Sequence, residues 1–332
     1  MLVMLIFVWF RVPSQLQFLP TAVRTFVTSF RSTHCLIGNL NQAPGFQDEV
    51  DAKTLVVDQG IVEFKDVSFG HCGLKELLSG LDFKVHSGQT VALVGESGSG
   101  KSSTLKLLLR IYDSTYGKIL IDGQDIQQVT VESLRANIGV APQEEIWFHD
   151  TIMDNVKYAN NSIQNEEIYK ACSAVGLHGL ISSLKNGYKT IMGEGGVRLS
   201  TGELQRLAIA RVIVNAGKIA ILDEPTSNVD SRTESRILRN IKSLFPGRTV
   251  LIISNRPSTI AHADHILVLR HGRVVEQGTH ASLMSIGGHY HSLWSRGRLM
   301  EMKVSNHSKA YQWEKRSDHN SKTTSPHKGT RP

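Results

Sequence analysis

Short apolar runs alternate with longer helix-like stretches from residue 61 onward. Ile61–Phe69 alternates apolar and polar residues as a half-buried strand does, and Thr90–Val94 is a continuous apolar run typical of a buried strand. Further short apolar runs lie at Lys118–Ile121, Ile138–Ala141, Ile219–Leu222, Thr249–Ile253 and Ile266–Leu269. This order predicts an α/β domain with a mostly parallel central sheet. Residues 150–200 contain few strand-like runs and predict a helical insertion.

The two ends of the chain lack this alternation. Met1–Phe10 is wholly apolar, but ten residues rise only about 15 Å as a helix, half of the ~30 Å that a membrane span needs. Two interpretations of this stretch stay open, the cut end of a membrane helix and a core segment, and we favour the first. Residues 15–55 are weakly patterned, and the pattern dissolves after Trp294.

Charge and cysteine content narrow the classes of function. Residues 303–332 hold seven Lys or Arg against two Asp or Glu, so this tail carries +5 of the net charge of +7. No nucleic-acid reading module accompanies these basic residues, so we expect a solvated, disordered tail and no nucleic-acid partner. The three cysteines are widely spaced. They fit neither a disulfide framework nor a zinc site, and they indicate a reducing compartment.

A phosphate-binding motif follows the continuous apolar run. Gly95–Ser102 (GESGSGKS) fits G-x-x-x-x-G-K-[ST] without a mismatch, between a buried strand and an expected helix over Lys101–Ile111. Its glycines allow backbone N–H groups to converge on phosphates, Lys101 would reach the β- and γ-phosphates, and the Ser102 hydroxyl would bind Mg²⁺. The predicted nucleotide-binding residues of this segment are Gly95, Glu96, Ser97, Gly98, Ser99, Gly100, Lys101, Ser102 and Ser103.

Two acidic residues supply the second half of such a site. The apolar run Ile219–Leu222 ends in Asp223 and Glu224, at the carboxyl end of a strand, where open α/β sheets place their ligands. Asp223 would hold Mg²⁺ directly or through water, and Glu224 would polarise the attacking water. Alone, an apolar strand that ends in Asp-Glu is weak evidence, because surface capping also explains it. Together with the phosphate-binding motif it predicts a site for ATP and Mg²⁺.

A third group of motifs resembles those of ATP-binding cassette (ABC) proteins. Leu199–Arg206 (LSTGELQR) looks like the LSGGQ signature, which separates this family from other P-loop ATPases. Gln143 matches the Q-loop glutamine, which in the family contacts Mg²⁺ and senses the membrane domain. Ser227–Asp230 resembles the D-loop, and Gly193–Gly196 the loop that meets the coupling helices of exporters. The resemblance covers about Gly60–Trp294 and is strongest to half-size exporters of the heavy-metal-tolerance and mitochondrial subfamily.

The resemblance implies a fold and a division of the chain. The fold is the cassette of P-loop NTPases, an α/β domain with a mostly parallel core sheet, an antiparallel β subdomain and a helical signature subdomain. Residues 1–59 would be the end of a transmembrane region and a linker. Residues 60–296 would form the nucleotide-binding domain, and residues 297–332 a disordered basic tail.

The resemblance also implies partners. ATP would bind to one chain's P-loop and be covered by a second cassette, in which Ser200 and Gly202 face the γ-phosphate and Asp230 also contributes. A transmembrane domain is the other expected partner, with the cassette on the cytosolic or matrix side of an intracellular membrane. A half-size exporter needs far more apolar sequence than this chain has, so we expect a truncated chain or one that depends on another polypeptide.

Three residues depart from the family's motifs. Asn255 stands where the family has its switch histidine. Its amide can donate one hydrogen bond to a phosphate, but unlike an imidazole it cannot take up a proton and become positively charged. Thr201 replaces the first glycine of the signature, so we expect strain or a changed phosphate contact. His71 occupies the adenine-stacking position, often Tyr in the family, and offers a smaller ring area.

These departures predict a cassette that binds ATP and hydrolyses it slowly to power export, with Glu224, Gln143 and Asn255 as catalytic residues. In a homodimer every site would combine Asn255 with Thr201 of a second copy, so we favour a heterodimer with an intact partner. One alternative is an impaired or truncated nucleotide-binding subunit that works with such a partner. Another is a non-transport ABC ATPase, but those usually carry two cassettes or long coiled coils, and this chain has no sustained heptads.

Overall fold

The computed structural model describes residues 18–40, 48–49, 51–70, 76–144, 146–158, 160, 162–193, 195–229 and 231–297. The chain divides into two compact units, residues 1–47 and residues 48–332. In the first unit the described part is a single helix, α1, Phe18–Leu40. The second unit contains the strands and the remaining helices.

The strands are β1 Val62–Phe69, β2 Leu78–Val85, β3 Thr90–Val94, β4 Tyr116–Ile121, β5 Gln124–Asp125, β6 Ile138–Ala141, β7 Ile219–Asp223, β8 Thr249–Ile253, β9 His265–Arg270 and β10 Arg273–Gly278. The helices after α1 are α2 Lys101–Leu108, α3 Val131–Ala136, α4 Ile152–Lys157, α5 Asn165–Ala174, α6 His178–Ser183, α7 Thr201–Val214, α8 Ser231–Arg239, α9 Ile241–Leu244, α10 Pro257–Ile260 and α11 His280–Ile286. Short 3₁₀ turns lie at Ile126–Gln128 and Gly187–Lys189. Residues 289–297 are also helical.

The central sheet has six strands in the order β10-β9-β3-β8-β7-β6. Every neighbouring pair is parallel except the edge pair of β9 and β10, which is antiparallel. Strands β3 and β8 are buried along their whole length, as continuous apolar runs in a parallel sheet should be. The predicted mostly parallel core sheet is therefore confirmed. Each apolar run on which the prediction rested lies in a strand, but the runs Ile61–Phe69 and Lys118–Ile121 belong to a second sheet, as β1 and β4.

A second sheet is antiparallel and has four strands in the order β2-β1-β4-β5. Phe64 of β1 stacks on Phe83 of β2 with ring centroids 4.5 Å apart. Both rings belong to a buried cluster that also contains Leu93 of β3 and Leu267 of β9. The antiparallel β subdomain thus shares a core with one face of the central sheet.

The predicted helical insertion is present as α4, α5 and α6, which pack with α7. Ile152, Ile168 and Leu207 from these helices lie in one buried cluster, together with Leu222 of β7. The start of α7 therefore belongs to a helical subdomain. The buried cluster of this subdomain lies on one face of the central sheet, and the cluster shared with the antiparallel sheet lies on the other face. The cassette fold predicted from the resemblance is confirmed in all three of its parts.

The helix after the phosphate-binding motif is three residues shorter than expected. It was predicted over Lys101–Ile111, but α2 ends at Leu108. Arg110 has a left-handed backbone (φ 49°), and the N–H of Ile111 donates to the carbonyl of Lys106 at 2.8 Å. This hydrogen bond folds the chain back over the end of the helix and satisfies one of its last carbonyl groups. The helix therefore ends here, although the sequence that follows contains further apolar residues.

Helix α1 was not predicted, because residues 15–55 are weakly patterned. Its threonines bond back to the helix: Thr25 Oγ1 donates to Thr21 O at 2.9 Å and Thr28 Oγ1 to Arg24 O at 2.8 Å. Such internal partners let polar residues sit within a helix. Among the described residues, no helix combines the length and apolar character that crossing a membrane requires. Met1–Phe10, interpreted as the end of a membrane helix, lies outside the described residues.

The segment before β1 packs on the cassette. Leu55 is 3% exposed and belongs to the buried cluster of the two sheets. Asp122, in the turn between β4 and β5, accepts hydrogen bonds from four consecutive backbone N–H groups, those of residues 58–61, at 2.7–3.1 Å. One side chain therefore fixes the path of the chain as it enters β1.

Candidate functional site

The phosphate-binding segment is a glycine-rich turn between β3 and α2. A Cβ at Gly95 would lie 2.3 Å from the carbonyl oxygen of Leu269, and a Cβ at Gly100 would lie 2.4 Å from Leu78 Cδ2. Gly100 is also the N-cap of α2, in the left-handed region at φ 108°. The Leu269 carbonyl therefore excludes a side chain at Gly95, and the left-handed backbone disfavours one at Gly100. The first N–H groups of α2, which have no intrahelical partner, face an open turn suited to an anion.

Lys101 folds back over this turn. Its Nζ donates to the carbonyl of Gly95 at 2.7 Å and to that of Glu96 at 3.0 Å. Burial lowers the pKa of Lys101, and the carboxylates of Glu224 and Asp223 oppose that shift. The ammonium group is thus held over the turn by two hydrogen bonds, within range of electrostatic attraction to both carboxylates.

Asp223 and Glu224 lie at the carboxyl end of β7. Burial first, and the Glu224 carboxylate next, raise the pKa of Asp223 to about 6, while Lys101 and Lys106 act in the opposite direction. Glu224 has a left-handed backbone (φ 46°), uncommon for a residue with a side chain, and its N–H donates to the carbonyl of Ile253 in β8 at 2.9 Å. These two carboxylates, one of which has a raised pKa, offer oxygen atoms of the kind that divalent cations bind.

Gln143, Ser102 and Ser103 are the other predicted site residues near the carboxylates and the phosphate turn. Gln143 follows β6, and its Nε2 donates to Glu224 Oε2 at 3.3 Å. Ser102 is exposed on the first turn of α2, and Ser103 is half-buried. The structure therefore brings Gln143 to the carboxylates and leaves the Ser102 hydroxyl open at the mouth of the phosphate turn.

Asn255 lies beside the phosphate turn. It follows β8, is exposed, and shares the lining of a cavity of about 150 Å³ with Gly95 and Glu96. Tyr290 and Trp294 from the final helical segment line the same cavity. The predicted switch position thus belongs to the same corner of the molecule as the phosphate-binding motif. An asparagine amide there can donate a hydrogen bond but cannot titrate.

The signature segment forms a capped helix start at a separate concave surface. Ser200 is the N-cap of α7, its N–H donates to Glu203 Oε2 at 2.7 Å, and Glu203 N–H donates to Ser200 Oγ at 3.4 Å. Residues Ser200, Thr201, Gly202, Arg206, Asn228 and Val229 line the concavity. This capping box fixes the chain's entry into the helix and leaves the N-terminal end of α7 facing outward.

Thr201 and Gly202, at the start of α7, differ in how they pack. Thr201 is the first helical residue of α7, it is exposed, and it is absent from the positive-φ residues of the described chain. Gly202 is the position that needs glycine, because a Cβ there would lie 2.5 Å from the carbonyl oxygen of Asn228. A helical first turn accepts a β-branched residue, and the φ of Thr201 is not positive. The strain or changed contact that we expect at Thr201 concerns the close approach of a phosphate, so it stays a prediction.

The remaining predicted site residues divide into two groups. Glu96, Ser97 and Gly98 are exposed on the turn and Ser99 is buried beneath it. His71 and Asp230, predicted to contact the adenine and the partner's nucleotide, lie outside the described residues.

Three residues that sequence reasoning gave no role hold the site's loops together. Arg256 donates to Glu234 Oε2 at 2.9 Å, and Gln205 Nε2 donates to Ser227 Oγ at 2.6 Å. These partners stand 22 positions apart along the chain in both cases. Helix and strand periodicities do not link residues at that separation, so the sequence pattern could not predict these contacts. The one hint of a role was that Arg256 directly follows the switch residue Asn255.

The chain matches known proteins along most of its length. The family model described as ABC transporter matches residues 78–227. The heavy metal tolerance protein of Schizosaccharomyces pombe is 42% identical over 293 residues, which are 88% of this chain and 35% of that protein. ATP-binding cassette sub-family B member 6 of Homo sapiens is 42% identical over 279 residues, which are 84% of this chain and 33% of that protein. The chain thus spans about a third of the length of the curated relatives it matches.

A solved structure shares both the fold and the sequence. The structure of a bacterial Atm1-family ABC exporter with ATP bound superposes with a TM-score of 0.76 at 40% sequence identity, over 85% of this chain and 49% of that chain. Fold, motif order and relatives agree on an ATP-binding domain of the exporter type. The chain therefore belongs to the ABC transporter family and contains that family's ATP-binding cassette, with ATP-binding cassette sub-family B member 6 among its relatives.

Proposed function

We propose that this chain binds Mg-ATP on its phosphate turn and, paired with a second cassette, hydrolyses it slowly to drive export across a membrane. The observation that carries the proposal is the meeting of Lys101, Asp223, Glu224 and Gln143 at the carboxyl ends of neighbouring parallel strands. Parallel sheets place nucleotides at this edge. A lysine, two carboxylates and an amide beside a helix start are a donor set for phosphates and a divalent cation together.

Each residue has a role in this proposal. The N–H groups of the segment from Gly95 to Ser103 and the Lys101 ammonium hold the phosphates. Ser102, Gln143 and Asp223 hold Mg²⁺, which supplies charge compensation for the phosphoryl oxygens when bound. Glu224 orients and polarises the attacking water. His71 stacks on the adenine.

The second cassette completes the site. Ser200 and Gly202 of each chain, at the start of α7, would cover the nucleotide on the other chain, and by the resemblance to the family Asp230 would also contribute. The positive end of the α7 dipole supports such a contact with a γ-phosphate. The matching family model is described as ABC transporter and the matching solved structure as an exporter, which supports a transmembrane domain as the further partner, with residues 1–59 leading to the cassette of residues 60–296. By the same resemblance the cassette lies on the cytosolic or matrix side of an intracellular membrane.

The slow hydrolysis in this proposal is argued from Asn255. A neutral amide beside the phosphate turn donates one hydrogen bond but adds no positive charge as negative charge moves in phosphoryl transfer. In a homodimer both sites would carry this amide, so a heterodimer with an intact partner is the arrangement we favour. The second candidate function follows from the same residue: a nucleotide-binding subunit whose own turnover is negligible and whose partner does the hydrolysis.

Nucleotide binding is tested first, by titrating the purified chain with ATP and Mg²⁺ in equilibrium dialysis. Replacing Lys101 by Ala removes a charge-assisted contact, and we expect the affinity for ATP to fall by about tenfold or more. Lys170→Ala, an exposed lysine on α5, is the matched control and should bind as the parent does. Equal affinity of the parent and the Lys101→Ala chain would remove the basis of the proposal.

Turnover is tested by restoring the switch residue. Removal of a single well-placed hydrogen-bond donor from an active site lowers the rate by about 10²–10³-fold. Asn255→His should therefore raise the rate of ATP hydrolysis by at least about tenfold. Asn165→His, at an exposed position on α5, controls for the added imidazole. The phosphate-release rate should be measured at saturating ATP and at several chain concentrations, because a two-cassette site requires a dimer. A rate unchanged by Asn255→His would show that this residue does not limit hydrolysis.

A further inference from the structure

A polar network connects the switch position to the loop that follows Glu224. Arg256, the residue after Asn255, donates through Nη1 to Glu234 Oε2 at 2.9 Å and through Nη2 to the carbonyl of Ser227 at 2.5 Å. The other oxygen of Glu234 accepts from Thr226 Oγ1 at 3.0 Å. Glu234, on α8, is only 5% exposed. One guanidinium therefore bridges a buried carboxylate and a loop carbonyl.

The same loop is held from its other side by the signature helix. We use the name 226–229 loop for the residues from Thr226 to Val229. Gln205 of α7, 3% exposed, donates through Nε2 to Ser227 Oγ at 2.6 Å and accepts through Oε1 from the N–H of Asn228 at 2.9 Å. The carbonyl of Asn228 in turn abuts Gly202. The network thus runs from the switch position, through the loop, to the first turn of α7.

We propose that Arg256 is a positioning residue for ATP hydrolysis, which sets the 226–229 loop and the start of α7 relative to the switch position Asn255. The inference rests on the proposed function, in which Asn255 serves the nucleotide on its own chain while the loop and Ser200–Gly202 serve the nucleotide on the second cassette. A rigid connection between these groups lets the state of one site set the geometry of the other.

The geometry explains why arginine suits this role. The guanidinium is planar and stays charged, so it can bond two acceptors at a fixed separation. Without it the buried Glu234 carboxylate would lose this counter-charge and the Ser227 carbonyl this donor, and the loop would lose its attachment to the switch position. The contacts of Lys101 lie on the phosphate turn, apart from this network. Loss of Arg256 should therefore affect the rate of hydrolysis more than the affinity for ATP.

The test compares Arg256→Gln, Arg256→Lys and Glu234→Gln in the full chain, with Arg239→Gln on the exposed side of α8 as the matched control. For Arg256→Gln we expect turnover to fall by about ten- to a hundredfold, as for misplaced catalytic groups, while the dissociation constant for ATP changes less than about twofold. Arg256→Lys keeps the charge without the fork and should give an intermediate rate. Glu234→Gln should resemble Arg256→Gln.

Hydrogen exchange provides a readout that does not depend on turnover. The N–H of Asn228, bonded to Gln205, and that of Val229, bonded to the carbonyl of Thr226 at 3.2 Å, should exchange at least about tenfold faster in Arg256→Gln. Amides of β3 and β8 should be unchanged. Unaltered exchange in the 226–229 loop, or loss of ATP affinity in parallel with turnover, overturns the inference. A parent chain that fails to bind ATP contradicts the proposed function instead, and the exchange result still decides the role of Arg256.

Discussion

Thr201 and Gly202 are neighbours on the first turn of α7, but their surroundings differ. The side chain of Thr201 is exposed, whereas Gly202 packs against the 226–229 loop so closely that a Cβ would meet the carbonyl oxygen of Asn228 at 2.5 Å. The glycine of the signature that this chain keeps is therefore the one that contacts its own backbone. The glycine that it lacks faces the concave surface where a second cassette is proposed to bind.

Substitutions at these two positions should behave differently. Gly202→Ala forces backbone apart, so we expect a loss of about 1–3 kcal/mol in the free energy of unfolding and a large loss of turnover. Thr201→Gly removes an exposed side chain from the first turn, and the free energy of unfolding should change by less than about 1 kcal/mol. Urea unfolding and steady-state phosphate release measure both effects. A Gly202→Ala chain as stable as the parent would mean that the loop yields to a methyl group without cost.

At the scale of elements, the strands were predictable and the ends of helices were not. The apolar runs named from residue 61 onward all lie in strands. The clearest of them, β3 and β8, are buried along their whole length, and such a strand needs a continuous apolar stretch and little else. Helix α2 stops at Leu108 for a local reason, the left-handed Arg110, which no hydrophobic pattern records. Helix α1 was missed because its threonines interrupt the pattern of apolar residues by which a helix is recognised. In the structure their hydroxyl groups donate to carbonyls of the same helix, so these polar residues are accommodated there.

The candidate site shows the same division. Its phosphate turn and carboxylates were predictable, since each is a contiguous motif joined to one strand. The links between motifs were not, because Gln143 meets Glu224 across 81 positions and Arg256 meets Ser227 across 29. Such pairs arise only once parallel strands have brought their carboxyl ends to one edge. The motifs could thus be named from the sequence, but the contacts that hold them together required the fold.

At the scale of the whole second unit, one carboxylate joins the incoming chain to the sheet that it enters. Asp122 lies in the turn after β4, with a left-handed backbone (φ 48°), and accepts four N–H groups from residues 58–61. Leu55, a few residues earlier, is buried among the residues of the two sheets. Asp122 therefore attaches residues 58–61 to the antiparallel sheet that they enter.

Replacing Asp122 tests this attachment. Asp122→Asn keeps a residue that tolerates the left-handed backbone but replaces one acceptor oxygen and removes the charge, and Asp122→Ala removes both oxygens. We expect losses of about 1 and about 1–3 kcal/mol in the free energy of unfolding, respectively, and faster hydrogen exchange at residues 58–61. Asp82→Ala, an exposed aspartate on β2, is the control.

The contribution of Asp122 should also depend on pH. Burial alone would raise its pKa, but the four backbone N–H groups outweigh burial and hold the pKa below its ordinary value of 3.8. A carboxyl group with a lowered folded-state pKa stabilises the fold fully above 3.8, and that stabilisation is lost as the pH falls towards the folded-state value. The parent and Asp122→Asn chains should therefore differ in stability at pH 6 and converge as the pH falls below about 4. Urea unfolding of both chains across this range measures the difference, and a gap that stays constant with pH would mean that the charge of Asp122 does not hold the segment in place.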